Sequence, residues 1–348
     1  MAHTTRITIV GTGGTIAGTQ AAANQVSPAA ASKSNGAYVA GVLSVADLLK
    51  DLNLSATSPP LSLRHVEPFR LASEDMQPAH WWKLAHVVVQ QLQDPEVDGV
   101  LITHGTDTLE ESAFFLHLVL SSHKPVVLTG AMRPADHPNA DGPGNMRLAI
   151  ETIVLAKRHR LNLGVVVAFA GKVMAAPGLR KVHTRDPIGF ANPWYTVDLV
   201  DLPQASWPEA GTLAVALALI PPDSTDVERL PHVPIVMMYP GICLDSLAVA
   251  TSSPTLAGLV LAGYGHGTVP DSISSWLAGR SPSVPVVRAS RVGVGPVLAG
   301  VAEDDSYLGT LAAGCLSPMQ ARVLLMVCVW GKADPAKYFN PYQPPERH

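Results

Sequence analysis

The chain has 348 residues, 47% of them hydrophobic and only 15% charged, with a formal net charge of −4. That apolar stock excludes a mainly disordered chain, and at ~150 residues per domain the length points to two domains. The charge balance offers no basic surface for nucleic acid or an anionic membrane.

The first half alternates short apolar runs with helical periodicity. Arg6–Val10 reads as a strand ending in glycine, Ser44–Leu52 as a short helix, and Leu61–Leu71 as containing a second strand. Pro78–Gln93 carries Trp81, Leu84, Ala85, Val88, Val89 and Leu92 at helix spacing, with Pro in the first turn. Val97–Thr103 is the next strand, and Thr108 to Glu111 fits the capping-box pattern T-x-x-E at the head of another helix. Strands follow at Pro125–Thr129 and Leu163–Ala170, separated by a helix over Asn145–His159; the stretch beyond, with Lys172 and Lys181, reads as a loop. Prolines then cluster at Pro203, Pro208, Pro221, Pro222, Pro231 and Pro234, the mark of a connection between domains. Beyond them come strands near Ile235–Tyr239, Gly258–Ala262 and Val284–Arg288, and a helix over Pro318–Trp330. Repeated β-α units with apolar strands predict an α/β protein: a large, mostly parallel N-terminal sheet covered by helices over 1–205, a proline-rich linker over 206–232, and a smaller α/β domain over 233–348.

Thr19–Gly41, rich in Ala, Ser, Asn and Gly, interrupts the first β-α unit without periodicity. It reads either as a surface loop or as a lid over the first strand's glycine turn. The apolar run ahead of Gly11 is too short for the core of a secretory signal, and the longest apolar stretches, such as Thr212–Ile220 and Val323–Trp330, fall short of the ~20 residues of a membrane span. A soluble, cytoplasmic protein is expected, a processed periplasmic form being the alternative. Three cysteines (Cys243, Cys315, Cys328) without a C-x-x-C pair argue against a disulfide framework or a zinc–thiolate site.

The glycine-rich Gly11–Gly18 invites a nucleotide reading that fails. A dinucleotide fingerprint needs glycine where Ile16 stands, and a phosphate loop needs Gly-Lys-Ser/Thr where Gly18 is followed by Thr19 and Gln20. There is no G-x-S-x-G elbow, and the 13 histidines include no H-E-x-x-H pair. Ligands of open α/β sheets bind beyond the carboxyl ends of the strands. Those ends carry Thr15, Ser73, Glu74, Thr106, Asp107 and a lysine. This set suits attack by a hydroxyl that a neighbouring base activates, with carboxylates left to hold a cation, and it needs neither metal nor organic cofactor.

G-T-G-G-T-I-A-G at Gly11–Gly18, I-T-H-G-T-D-T-L-E-E at Ile102–Glu111 and K-P-V-V-L-T-G-A-M-R-P at Lys124–Pro134 resemble the bacterial-type L-asparaginases. The likeness continues through A-D-G-P-x-N at Ala140–Asn145 and S-P-x-x-A-R-V-L-L at Ser317–Leu325, nearly the whole chain in order. The resemblance implies hydrolysis of asparagine to aspartate and ammonia through an acyl-enzyme, with glutaminase as a secondary activity, no cofactor, and a homotetramer of intimate dimers. It implies Thr15 as nucleophile, Tyr38 as the lid residue that polarises it, and Thr106 as the second catalytic hydroxyl, hydrogen-bonded by Lys181; Lys172 is the competing lysine. Asp107 matches the residue for the substrate's α-ammonium and Ser73 the one for its α-carboxylate. Glu74 stands where many members have Gln and others Glu, and Ala131 matches a main-chain site facing the scissile amide. Thr268, after Gly263–Gly267, stands where relatives carry Asn or Ser reaching a neighbouring subunit's site, and Glu303 is offset by one from an acidic residue with a similar task; neither is assigned to catalysis. Two other readings compete: the glutaminase subunit of a tRNA-dependent amidotransferase, which needs a further N-terminal domain or partner surface, and a non-catalytic amino-acid sensor, which is expected to have lost Thr15, Thr106 or the lysine.

Overall fold

Three runs in the first half, Gly99–Thr103 (β3), Val126–Thr129 (β4) and Val165–Phe169 (β5), are buried at every position. Strands covered on both faces have no solvent side on which to place polar residues, which is why they read as unbroken apolar runs. In the computed structural model, which describes residues 4–20, 39–50, 52, 60–214, 216, 231–279 and 284–343, they form the middle of a seven-stranded sheet. Thr5–Gly11 (β1) lies beside β3, and Leu61–Val66 (β2) closes that edge; all five run parallel. β2 is mostly exposed or half-buried, as an edge strand is. On the other side, Lys172–Ala175 (β6) pairs antiparallel with β5, and Thr196–Asp198 (β9) pairs antiparallel with β6. Arg180–Lys181 (β7) and Phe190–Ala191 (β8) form a separate two-stranded hairpin. Lys172 and Lys181, expected in a loop, therefore both sit on strands.

Helices cover both faces. Val45–Lys50 (α1) follows β1, and Pro78–Gln93 (α2) starts and stops where the periodicity predicts, burying Trp81, Trp82, Leu84, Ala85 and Val88. Leu109–Val119 (α3) is buried at every position but Glu111, and its Phe115 ring meets Trp82 at 4.8 Å. Gly142–His159 (α4) lays Met146, Ala149, Ile150, Ile153 and Ala156 against Ile7, Ile9, Leu101, Val127 and Val166, alternate residues that share one face of the sheet.

The chain divides into two compact units, 1–212 and 213–348. The second has a four-stranded parallel sheet in sequence order: Ile235–Met237 (β10), Leu259–Gly263 (β11), Val286–Ser290 (β12) and Leu311–Ala312 (β13). Its helices include Leu244–Thr251 (α5), Asp271–Gly279 (α6), Asp305–Leu308 (α7), Pro318–Trp330 (α8) and Pro335–Phe339 (α9). Ser317 caps α8 by accepting the Gln320 N–H. Arg288 on β12 has a fully buried side chain and is held bidentately by Asp305 at 2.7 and 2.8 Å. Its remaining nitrogen donates to the Gly267 carbonyl at 3.2 Å, which ties the glycine turn to α7. Among the described residues no helix is long and apolar enough to cross a membrane.

Candidate active site

The carboxyl ends of β1 and β3 are drawn together by the Thr12 main-chain N–H and hydroxyl, which both donate to the Thr103 carbonyl at 3.1 and 3.0 Å. The segment after β2 joins them: Leu71 N–H donates to Thr12 O, and Gly14 N–H to Leu71 O. Gly14 has φ +80°, and a Cβ there would collide with the Gly105 main chain. A Cβ on Gly105 would in turn lie 2.6 Å from the Ser73 side chain. Only residues without a side chain permit this approach, and it brings Thr15, Ser73 and Thr106 to one place.

Thr15 opens a short 3-10 turn, Thr15–Ala17, and is nearly buried. Ser73 opens another, Ser73–Asp75, with Glu74 exposed beside it. The Ser73 hydroxyl accepts the Asp107 N–H at 3.1 Å, and its carbonyl accepts the Thr108 hydroxyl at 2.9 Å. The capping box predicted at Thr108 is therefore not formed. Thr108 is the N-cap of α3, but its side chain makes no cap bond; its hydroxyl donates to the Ser73 carbonyl.

Thr106 and Asp107 stand just before α3. The Lys181 ammonium reaches both, donating to Thr106 Oγ1 at 2.9 Å and to Asp107 Oδ1 at 2.6 Å. Lys181 is mostly withdrawn from water, with 18% of its side chain exposed against 55% for Asp107. Lys172 is instead paired with Asp198 across β6 and β9, at 2.8 Å. Thr15, Thr106, Asp107 and Lys181 line one cavity of about 690 Å³, with Met132, Arg133 and His137 on one wall and His183 to Pro187 on another.

The loop after β4 is built by the A-D-G-P-x-N segment. Asp141 accepts the N–H groups of Met132 and Arg133, both at 2.9 Å, while Asn145 donates to Gly130 O and accepts Ala170 N–H. Ala131 is fully buried within this frame. Asp141 and Asn145 had no assigned task in the sequence; their short separation ahead of a helix is the trace they leave there.

Two titratable groups beneath the site are strongly perturbed. Burial pushes the Glu110 carboxyl, in the first turn of α3, up to about 7, with the Lys181 N–H and the charges of Arg180 and Lys181 working against that rise and Glu111 adding to it. Burial pushes His104 down to about 4 despite its hydrogen bond with the Gly105 carbonyl. Sequence reading missed Glu110, whose bond to the Lys181 main-chain N–H spans the site. Among the described residues no group of His, Cys, Asp or Glu is arranged to hold a metal. Tyr38 lies outside the described residues. Thr268 and Glu303 lie in the second unit, where Glu303 Oε1 accepts Val269 N–H at 3.2 Å and Thr268 N–H donates to Tyr264 O.

An α/β sheet whose strand ends gather hydroxyls and a carboxylate against a lysine from a separate hairpin has the makings of a hydrolase that works without phosphate-binding loops. The family model described as "Asparaginase, N-terminal" matches residues 6–200, and "Glutaminase/Asparaginase C-terminal domain" matches 232–338. The chain is 34% identical over 341 residues to a probable periplasmic L-asparaginase of Haemophilus influenzae, covering 97% of this chain and 93% of the relative. It is 31% identical over 342 residues to a glutaminase-asparaginase of Acinetobacter glutaminasificans, covering 95% and 96%. The crystal structure of a probable cytoplasmic L-asparaginase from Campylobacter jejuni superposes with a TM-score of 0.74 at 30% identity, covering 97% of this chain and 98% of that one. This chain belongs to the asparaginase family.

Proposed function

We propose that the protein hydrolyses L-asparagine to L-aspartate and ammonia, with L-glutamine as a secondary substrate. The observation that carries this reading is the Lys181 amine, 2.9 Å from Thr106 Oγ1 and 2.6 Å from Asp107 Oδ1, in a cavity that Thr15 shares. Relatives named asparaginase and glutaminase-asparaginase support the two substrates.

In this mechanism the Thr15 hydroxyl attacks the side-chain amide carbon. The tetrahedral adduct collapses, the C–N bond breaks, and ammonia leaves with the proton that the attacking hydroxyl released. A β-aspartyl ester on Thr15 remains; water attacks it, breaks the ester and restores the hydroxyl. Tyr38 takes the role of polarising Thr15. Lys181 holds Thr106 Oγ1 at 2.9 Å and orients it to act on the incoming nucleophile. Asp107 and Glu74 hold the α-ammonium, Ser73 the α-carboxylate, and the Ala131 main chain faces the amide. Asp107 is paired with Lys181 at 2.6 Å. An arriving α-ammonium competes with Lys181 for that carboxylate.

Ammonia release from asparagine and from glutamine by the full-length protein tests the reading. Turnover is expected with both, faster with asparagine, and lost from Thr15→Ala. Tight binding without turnover would instead establish an amino-acid sensor. The homotetramer is part of the same proposal and is read by light scattering after gel filtration. Relatives carry both cytoplasmic and periplasmic in their names; we keep the cytoplasm as the proposed location, which cell fractionation tests.

A further inference from the structure

Lys181 lies on a hairpin that is not part of the main sheet. β7 and β8 are two residues each and pair only with one another, joined by one further bond, Val182 N–H to Gly189 O. A two-stranded hairpin is marginally stable on its own; this one is anchored at Phe190, whose ring meets Phe169 at 4.9 Å, and the Lys181 main chain makes a further bond outside the hairpin. The lysine is also a long lever: its amine stands about 6 Å from its own Cα, and a small rocking of the main chain displaces it by about 1 Å, an error that can cost about 100-fold in rate.

Glu110 occupies the place from which that rocking can be stopped. It is 4% exposed, in the first turn of a helix whose other inward positions are apolar, aromatic or small. A carboxylate there carries a desolvation cost that a leucine would avoid. It is not spent on capping, since α3 has no side-chain cap bond. Its Oε2 accepts the main-chain N–H of Lys181. The lysine is thus gripped at both ends, main chain by Glu110 and amine by Thr106 and Asp107, and the three partners lie at and just before the start of α3. We propose that Glu110 is a positioning residue that locks the Lys181 main chain to the N-terminal turn of α3 and thereby aims the lysine amine at Thr106. Glu110 does not touch substrate; it acts through Lys181, so the inference rests on the proposed role of Lys181 above.

The test is steady-state ammonia release from asparagine by the full-length protein and four variants: Glu110→Gln, Glu110→Leu, Lys181→Met and the double Glu110→Leu/Lys181→Met. Glu110→Gln keeps an oxygen that can accept the N–H and is expected to retain kcat within about fivefold. Glu110→Leu keeps the bulk and loses the acceptor; its kcat is expected to fall about 100-fold with KM within about threefold. The double variant is expected to be no slower than Lys181→Met, because a group acting through the lysine has nothing left to position. A folded Glu110→Leu with near-wild-type kcat, or a double variant slower than Lys181→Met by a further 100-fold, overturns the proposal. If Glu110→Leu fails to fold, Glu110→Asp decides, with its carboxylate one methylene short. A kcat loss of tenfold or more at little change in melting temperature supports the proposal, and wild-type kcat overturns it. If Lys181→Met itself turns over normally, the reading of the lysine fails and takes this proposal with it. If Lys181→Met is dead and Glu110→Leu is not, only the role of Glu110 fails.

Discussion

Acidification is expected to weaken the first unit through a histidine that takes no part in the site. His117 on α3 is 1% exposed, its ring stacks on Phe114 at 6.2 Å, and neither ring nitrogen has a hydrogen-bond partner among the described residues. Burial pushes its pKa from 6.5 down to about 4. The folded state thus holds the neutral ring while the unfolded chain takes up a proton near pH 6.5. The stabilisation is complete above that pH and is lost as pH falls toward and through 4. Between pH 7.5 and 4.5 the loss amounts to about 2.5 kcal/mol. Fully buried His104 behaves alike. Glu110 runs the other way: its folded pKa of about 7 lies above the reference 4.5, so its contribution is complete below 4.5 and is lost as pH rises through 7. Acidification over the same interval restores about 3 kcal/mol through Glu110, masking one histidine in the wild type. A comparison with His117→Leu removes the mask, since His104 and Glu110 are common to both proteins. Urea unfolding at pH 7.5 and 4.5 should show the variant gaining about 2.5 kcal/mol on the wild type as pH falls, with m-values unchanged. Parallel stability curves, differing by a constant at both pH values, would refute the reasoning.

Three further outcomes are expected. Thr106→Val and Thr15→Ala should each abolish most ammonia release while leaving circular dichroism and melting temperature near wild type; normal kcat in either folded variant removes that threonine from the mechanism. Glu74→Gln should raise the preference for asparagine over glutamine by roughly tenfold in kcat/KM, because a directional amide tolerates a displaced α-ammonium less well than a second carboxylate does; an unchanged ratio would put selectivity elsewhere. Asp305→Ala should destabilise the second unit by about 3–5 kcal/mol in urea unfolding, because it strands the buried Arg288 guanidinium, whereas replacing both partners by apolar residues should cost far less.

The parallel half of the large sheet is legible because β3, β4 and β5 are covered on both faces and must be apolar throughout. The helices α2 and α8 were placed to the residue, since Pro in the first turn marks where each starts and the apolar spacing ends with it. The antiparallel returns β6 to β9 were not found. They are two to four residues long, carry exposed positions such as Lys172 and Thr196, and lie among Gly171, Pro177, Gly178 and Pro187, so their local signal is that of a loop. Thr15, Ser73, Thr106 and Asp107 were picked out at strand ends and Lys181 by the resemblance, and the fold brings Thr15, Thr106, Asp107 and Lys181 around one cavity. Glu110 and the true partner of Thr108 were not, because both act at long range. T-x-x-E explains Thr108 locally, whereas its hydroxyl goes to a carbonyl 35 residues away, and Glu110 bonds across 71. No pattern within one helix turn records such a bond.

Thr19 and Val39 exchange two main-chain hydrogen bonds, 3.1 Å and 3.0 Å, in an isolated antiparallel bridge. The bridge holds the end of the Thr15–Ala17 turn beside the start of the approach to α1. For a chain whose ends are already clasped, doubling the enclosed length costs only about 0.6 kcal/mol of closure entropy. With Thr19 and Val39 already joined, lengthening the connection between them is expected to cost the fold little. The folding of the sheet and the length of this connection are thereby separate problems for the chain.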